Sequence, residues 1–384
     1  MKIGIVTCFN MKNVNYGNRL QAFALNRYLR DKAPGAEVET IRFADFRNYI
    51  RIKDKNILLY YLKHARDKVF KKGKTEKLSP LLDGRLKAFN EFSTETTSLS
   101  KELSLEEFKA SDYDVLITGS DIVWYQKPNI YRPVRFLDYD FKKNVRRIAY
   151  AASLGTDNIP ESNKKHVLAA LKRFDAISVR EKSSVSFLKG LGVENVTHCV
   201  DPTLLVEAPV WQSLEKEVLP DGRPIGDYIF VYLLGNNKKD REAITEIASK
   251  MGLKVVCVPL ARGYDDDTDE GFGDVRVMDC SPGEWMYLIH NSRYFVTDSF
   301  HGVVFSTIFK TPFVVVGREE FGINNRISDF LKNIGQEDKL VRQLTAEGLS
   351  GLTWDYAGIS ARIENMKNYS EEFLRNALPE VLKQ

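Results

Sequence analysis

The 384-residue sequence predicts an α/β protein built from two doubly wound domains in tandem, and two observations carry this prediction. Short runs of β-branched and apolar residues alternate with segments of helical periodicity, which is typical of parallel sheets covered by helices. This alternation is interrupted once, by a stretch rich in proline and glycine, and then resumes. We therefore expect a first domain over residues 1–206, a linker over 207–227, a second domain over 228–355 and a helical tail over 356–384.

The first half opens on a strand, a helix and a second strand, which is the start of a βαβ unit. Behind the first apolar run, Leu20, Phe23 and Ala24 stand at helical spacing. Strands are predicted at residues 2–9, 37–43, 114–120, 147–153, 176–180 and 196–201, and helices at 18–32, 161–174 and 181–191.

The second half repeats this pattern after the linker. Strands are predicted at residues 228–235, 254–259, 275–279, 294–299 and 312–317, and helices at 238–251, 282–290, 302–310 and 324–333, followed by one or two amphipathic helices over 356–382. Open α/β sheets bind ligands at the carboxyl ends of their strands. We therefore expect functional residues just after strands, from both halves, in a cleft between the domains.

The charge of the chain is concentrated in one segment. The formal net charge of +4 is too small to indicate a nucleic-acid-binding protein. Residues 47–77 carry 11 basic and three acidic residues, so the rest of the chain is slightly acidic. Apolar residues are interleaved with the basic ones, which predicts an amphipathic insertion that contacts an anionic membrane surface. The alternative is a solvated insertion packed on the first domain.

The cysteines argue against a metal or disulfide scaffold. The four cysteines stand far apart without a CxxC pair, which excludes the usual zinc spacings and fits a reducing, cytoplasmic compartment. The acidic loop 265–270 lacks the glutamate that a calcium loop needs at its twelfth position, where Arg276 stands. No apolar run approaches the roughly 18 residues of a membrane span. We expect no metal and no membrane-spanning helix.

Two glycine-containing loops follow predicted strands. In the first, Gly17 allows close approach of the backbone to a ligand, and the start of the helix at Asn18 favours an anion; the alternative is an ordinary helix cap. In the second, Ser120 and Asp121 are candidates to hydrogen-bond sugar hydroxyls and Trp124 to stack on a sugar face. The alternative there is a capped helix start with a core tryptophan.

Charged residues follow the next two strands. Arg180 is a candidate anion clamp, with Lys182 two residues on, because arginine holds carboxylates and phosphates bidentately. The alternative is an arginine paired with Glu181 or another carboxylate. Asp201 is either a catalytic carboxylate or, as we favour, the cap of the turn that begins the linker.

The richest candidate site is Thr297-Asp298-Ser299-Phe300-His301-Gly302, between a predicted strand and a predicted helix. Histidine suits proton transfer near neutral pH because its unperturbed pKa is about 6.5. His301 is therefore predicted to be catalytic, with Ser299 beside it. Zinc proteases, P-loop kinases and α/β hydrolases are not indicated, since no HExxH, P-loop or GxSxG pattern occurs.

Together these motifs resemble the polysaccharide pyruvyl transferase family over most of the chain. The residues that carry the resemblance are Asn15-Tyr16-Gly17, Leu20-Gln21-Ala22, Gly119-Ser120-Asp121, Ser178-Val179-Arg180, Asp201-Pro202-Thr203, Thr297-Asp298-Ser299-Phe300-His301-Gly302 and Asn325-Arg326-Ile327. The resemblance implies a GT-B-like fold with two Rossmann-like halves, which agrees with the architecture inferred above.

The resemblance also implies an activity, the transfer of pyruvate from phosphoenolpyruvate to a sugar of a cell-surface polysaccharide or its lipid-linked precursor as a cyclic ketal. Arg180 matches the family's donor-binding arginine and His301 its active-site histidine; Lys182 and Arg326 are further candidate donor contacts. This chemistry requires no cofactor. It would place the protein in the cytoplasm, peripherally at the inner face of the membrane.

One departure leaves other functions open. Some members of the family carry Arg-Leu before the histidine, where this sequence has Ser299-Phe300, so another cation such as Arg326 has to supply the missing charge. The alternatives are a GT-B glycosyltransferase that uses a nucleotide sugar and a non-catalytic module of a polysaccharide-assembly complex.

Overall fold

Two parallel sheets organise the chain, one in each half. The structure is a computed structural model that describes residues 1–44, 50–51, 78–218, 227–264, 267–317, 324–342 and 344–382. The strands are β1 (Lys2–Val6), β2 (Glu37–Phe43), β3 (Ile50–Arg51), β4 (Leu99–Leu103), β5 (Val115–Thr118), β6 (Ile130–Tyr131), β7 (Arg146–Ala152), β8 (Ala176–Val179), β9 (Val196–His198), β10 (Tyr228–Tyr232), β11 (Lys254–Cys257), β12 (Val275–Arg276), β13 (Tyr294–Thr297), β14 (Phe313–Val316) and β15 (Leu340–Val341).

The strand orders are those of doubly wound sheets. The first sheet runs β4-β2-β1-β5-β7-β8-β9 and the second β12-β11-β10-β13-β14-β15, with every pair parallel. A short antiparallel pair, β3 with β6, stands apart from both. The central strands are buried on both faces, as their continuous apolar sequences require. The predicted fold class is therefore confirmed.

Helices cover the faces of both sheets. They are α1 (Tyr16–Lys32), α2 (Asp83–Thr96), α3 (Leu105–Lys109), α4 (Glu161–Leu171), α5 (Lys182–Lys189), α6 (Ala208–Gln212), α7 (Lys238–Met251), α8 (Pro282–His290), α9 (Phe300–Phe309), α10 (Asn324–Ile334), α11 (Ala346–Gly351) and α12 (Tyr356–Ala377). Helix α1 begins two residues before its predicted start because Asn15, rather than Asn18, is the N-cap: its Oδ1 accepts the N–H of Asn18 at 3.0 Å.

Some elements carry no clear sequence signal. The edge strand β4 was not predicted, because two charged residues, Lys101 and Glu102, interrupt its apolar alternation. Helix α2 was not predicted either, although it buries Phe89 and Phe92 against the rest of the first domain. The local sequence of both elements favours their secondary structure only weakly, so they depend on tertiary packing for their stability.

The two domains share a tightly packed interface. Arg85 on α2 is fully buried and donates to the carbonyl oxygens of Met278 at 2.6 Å and Pro259 at 2.8 Å in the second domain. The ring of Tyr16 stacks on Trp285 with centroids 5.0 Å apart. Trp211, within the expected linker, is also fully buried and packs between aromatic rings of the two halves. One continuous apolar core therefore joins the domains.

The C-terminal helix α12 returns to the first domain. Ser370 Oγ accepts the N–H of Val200 at 2.9 Å, and Phe373 lies beside Tyr150 with centroids 6.4 Å apart. No helix in the described part of the chain is long and apolar enough to cross a membrane. Apart from β3, the basic segment 47–77 lies outside the described residues, and so does its predicted membrane contact.

Candidate active site

A cavity of about 320 Å³ lies between the two domains, at the carboxyl ends of the central strands. Its walls come from residues after β1 and β5 in the first domain, and after β10 and β13 and at the start of α10 in the second. Of the predicted site residues, six line it: Gly17, Asn18, Asp121, Ser299, His301 and Arg326.

His301 lies in the first turn of α9, where the strand-to-helix turn directs it into the cavity. Ser299 is the N-cap of this helix and its Oγ accepts the N–H of Gly302 at 3.4 Å. The imidazole Nε2 is 3.4 Å from Oδ2 of Asp201. The other edge of the ring lies against Gly17, where a Cβ would stand 2.1 Å from Nδ1. Gly17 is therefore required by close approach to His301.

Asp201 has two roles at once. Its Oδ1 caps the turn after β9 by accepting from the N–H and Oγ1 of Thr203, as the sequence predicts. Its Oδ2 accepts from Nη1 of Arg180 at 2.9 Å and faces His301. Burial alone would raise the pKa of Asp201, but His301 and Arg180 hold it well below its usual range. A charged carboxylate therefore stands behind the imidazole.

Arg180 is buried among carboxylates and does not line the cavity. Its guanidinium lies 2.9 Å from Asp201, 3.1 Å from Glu181 and 3.8 Å from Asp121, with the ring of Phe300 at 4.2 Å. Burial lowers its pKa, but these carboxylates raise it above its usual value. The carboxylate-paired alternative thus describes Arg180, which corrects the expectation that it clamps an anion in the cavity directly. Arg180 and His301 are nevertheless connected, because both contact Oδ2 of Asp201.

Three other predicted contacts also fall outside the cavity. Ser120 is fully buried and donates to the carbonyl of Ala151 at 2.8 Å. Trp124 is 2% exposed and stacks on Phe136, so the core-tryptophan alternative describes it. The side chain of Lys182 is exposed at the start of α5.

These placements correct three expectations about substrate contacts. The backbone N–H of Lys182 donates to Asp329 across the domain interface, at 3.0 Å from Oδ2. Neither Ser120 nor Trp124 presents a group to a sugar. An aromatic residue of the same loop, Tyr125, is 36% exposed. Its ring and the side chain of Ile122, which lines the cavity, both lie against Gly155.

Asp121 is oriented by both domains. It has a left-handed backbone, with φ of 66°, which aspartate tolerates better than most residues. Asn18 Nδ2 donates to its Oδ2, and Arg326 Nη1 of the second domain is 4.0 Å from its Oδ1. Asp298, by contrast, anchors the loop after β10, because its two oxygens accept the N–H groups of Leu234 and Gly235.

Arg135 was not predicted from the sequence as a site residue. Its side chain is half-buried and lines the cavity. It lies in a short 3₁₀ turn, Pro133–Phe136, that has no periodic signal. Its Nη1 is 3.5 Å from the carbonyl of Ile122, which is a weak contact. Arg135 and Arg326 thus place one guanidinium in each wall. Asn10 and Asn13 also line the cavity and carried no recognised motif.

In the part of the chain that the structure describes, no group of three or more His, Cys, Asp or Glu side chains is arranged to hold a metal ion. Asp265 and Asp266 of the acidic loop lie outside that part.

The architecture and the cleft define a GT-B-like fold, and solved structures agree. A UDP-N-acetylglucosamine 2-epimerase from Rickettsia bellii has a TM-score of 0.52 at 11% identity, over 99% of this chain and 97% of that one. Another UDP-N-acetylglucosamine 2-epimerase has a TM-score of 0.52 at 12% identity, over 98% and 95%. At such identities the likeness shows the fold alone.

The family follows from the sequence profile that the chain matches. The profile of the polysaccharide pyruvyl transferases covers residues 15–320, from the Asn15 loop through the His301 motif, and the chain belongs to this family. It is therefore a transferase, and the resemblance inferred from its motifs is confirmed. No curated protein matches the sequence significantly.

Proposed function

We propose that the protein transfers the pyruvyl group of phosphoenolpyruvate to a saccharide as a ketal, with His301 as the general acid and base. The observation that carries the proposal is the position of His301: its ring opens on the cavity between the domains while a buried carboxylate, Asp201, stands 3.4 Å behind it. A carboxylate in that position fixes the orientation of an imidazole that exchanges protons with a substrate.

The cavity suits a small donor with two anionic groups. Phosphoenolpyruvate carries a carboxylate and a phosphate, and Arg135 and Arg326 offer one guanidinium in each wall. The first turns of α1 and α9 also border the cavity, and the N–H groups of a helix start favour an anion. Arg326 keeps the role expected for it, while Arg180 contributes indirectly by holding Asp201.

The chemistry balances with these groups alone. Protonated His301 gives its proton to the methylene carbon, so that C2 becomes electrophilic, and it then takes the proton of the acceptor hydroxyl that adds there. The bond from C2 to the phosphate oxygen breaks and inorganic phosphate leaves. A second hydroxyl of the same sugar closes the ring. The two hydroxyl protons end on the new methyl group and on phosphate.

Ligand stabilisation tests the donor. A ligand raises the free energy of unfolding by RT ln(1 + [L]/Kd), about 2.7 kcal/mol at a hundredfold excess over Kd. We expect phosphoenolpyruvate to raise the melting temperature and UDP-N-acetylglucosamine not to. A shift with the nucleotide sugar alone would instead support a nucleotide-sugar transferase.

Phosphate release tests the reaction. It is measured from phosphoenolpyruvate with lipid-linked or model saccharides as acceptors. His301→Ala should lower the rate of release by about 100-fold or more; an unchanged rate in this variant would remove the catalytic role of His301. No release with any acceptor would favour the non-catalytic module.

We also propose that the acceptor is lipid-linked and that residues 47–77 bring the protein to the inner face of the membrane from the cytoplasm. The support is the density of basic residues in this segment, 11 against three acidic ones. The wild type should sediment with anionic vesicles, and a variant with its lysines neutralised should not. Equal sedimentation of the two would refute the contact.

A further inference from the structure

The loop between β1 and α1, together with the first turn of α1, places four asparagines in the cavity wall: Asn10, Asn13 and Asn15 in the loop and Asn18 in the helix. They fall within nine consecutive residues, and no cation of this loop lines the cavity. Each carboxamide has one oxygen that accepts hydrogen bonds and an amino group with two N–H donors. Such a set suits a ligand that is neutral and rich in oxygen.

Backbone N–H groups of residues 12–18 already donate hydrogen bonds to the carboxamide oxygens of Asn10, Asn13 and Asn15. Oδ1 of Asn10 accepts the N–H of Lys12 at 2.8 Å, and Oδ1 of Asn15 accepts the N–H of Asn18 at 3.0 Å. Oδ1 of Asn13 lies 3.5 Å from the N–H of Asn15. These contacts leave the amino groups of Asn10, Asn13 and Asn15 as donors, since no described residue accepts a hydrogen bond from them.

A buried arginine holds this loop in place. Arg19 is 1% exposed, and its Nη2 donates to the carbonyl oxygen of Asn13 at 3.1 Å and to Oδ1 of Asn90 at 3.1 Å. Its guanidinium lies 4.8 Å from the centre of the Phe9 ring. The loop is thereby ordered before a ligand arrives, which lowers the entropy cost of binding.

The loop also leads to the catalytic histidine. Asn18 holds the carboxylate of Asp121, which lines the cavity and can accept a hydrogen bond from a ligand hydroxyl. Gly17, between Asn15 and Asn18, contacts the ring of His301. A ligand bound along the loop would therefore present its hydroxyls beside the proposed base.

We propose that residues 10–18 form the acceptor subsite, in which the amino groups of Asn10, Asn13 and Asn15 donate to hydroxyl and ring oxygens of a neutral sugar. The inference rests on the proposed function for the reaction that follows, whereas binding of the sugar itself can be measured without the donor.

The test removes donors without removing the loop contacts. In the double variant Asn10→Asp with Asn13→Asp, the carboxylate oxygens can still accept the backbone N–H groups, but the amino groups are lost. The matched control is Asn195→Asp, at an exposed asparagine outside the cavity. The probes are methyl β-D-galactopyranoside, methyl β-D-glucopyranoside and methyl α-D-mannopyranoside, followed by saturation-transfer NMR.

At least one glycoside should bind the wild type and the control, with affinity about tenfold or more weaker in the double variant. The melting-temperature shift with phosphoenolpyruvate should be the same in the wild type and the control, and smaller in the double variant, because its two new carboxylates repel an anionic donor in the same cavity. The neutral glycosides are not subject to this repulsion, so their loss of affinity reports the missing amino groups. Equal glycoside affinity in all three, or no glycoside binding to the wild type, would overturn the subsite.

Phosphate release separates the two proposals. If release occurs with a glycoside and the acceptor KM is unchanged in the double variant, the subsite is refuted and the pyruvyl transfer stands. If the double variant loses glycoside binding but the wild type never releases phosphate, the subsite stands and the proposed reaction fails.

Discussion

Replacing Gly17 with alanine should displace the ring of His301 and so lower the rate of the reaction, although His301 itself is unchanged. The Cβ would stand 2.1 Å from Nδ1, 2.6 Å from Cε1 and 2.7 Å from Cγ of the imidazole. Non-bonded heavy atoms pack about 3.5 Å apart, so the ring has to retreat by more than about 1 Å. A displacement of that size at a reacting group costs about 100-fold in rate. We expect kcat for phosphate release to fall by about that factor.

The variant should remain folded. Overpacking costs about 1–3 kcal/mol, and the better helix propensity of alanine offsets about 1 kcal/mol of it near the start of α1. Gly35→Ala is the matched control, because a Cβ there meets nothing within 4 Å. In the His301→Ala background, Gly17→Ala should cause no further loss of rate. A Gly17→Ala enzyme as fast as the Gly35→Ala enzyme would refute the reasoning.

Three further predictions concern the donor, the acceptor and the buried carboxylate. Because the pKa of Asp201 is depressed in the folded protein, its carboxylate stabilises the fold above about pH 4, and this contribution is lost as the pH falls below it. In Asp201→Asn, the free energy of unfolding, measured by urea titration, should therefore fall less steeply below about pH 4 than in the wild type; parallel curves would contradict this. Arg135→Met should raise the KM for phosphoenolpyruvate about tenfold or more, since it removes the guanidinium group that Arg135 places in the cavity wall. The exposed Arg293→Met is its control, and equal KM values in the two variants would exclude a donor contact. Tyr125→Ala should raise the acceptor KM about threefold to tenfold through loss of an aromatic surface. Tyr369→Ala, at a more exposed tyrosine that does not line the cavity, should leave it unchanged; a shift in both would point to a nonspecific effect.

Local pattern was enough to predict most of the fold. The strands that form the centres of both sheets are continuous apolar runs, and such runs are recognisable without knowledge of their neighbours. Edge strand β4 and helix α2 were not predicted because their sequences are locally ambiguous. Helix α2 is stabilised in the folded protein because Phe89 and Phe92 pack into the apolar core.

The candidate site was predicted in part. The positions of Gly17, Asp121 and His301 after strands predicted that they would meet at the carboxyl ends of the sheets, since that edge is common to all parallel strands. Arg135 could not be found in this way, because it lies in an irregular turn. Trp124 could not be distinguished from a ligand-stacking residue, because its sequence context fits either role.

The sequence by itself determined the two parallel sheets and the family, and it singled out His301 as a candidate, because each depends on short motifs whose own residues are adjacent in the chain. Only the tertiary structure decided how the charged residues are used. Arg180 and Asp201 are 21 positions apart, and Asp201 and His301 are 100 apart, yet all three converge within 3.4 Å at one carboxylate oxygen. Such a network depends on the packing of two domains, so local spacing cannot reveal whether an arginine faces a ligand or a buried carboxylate.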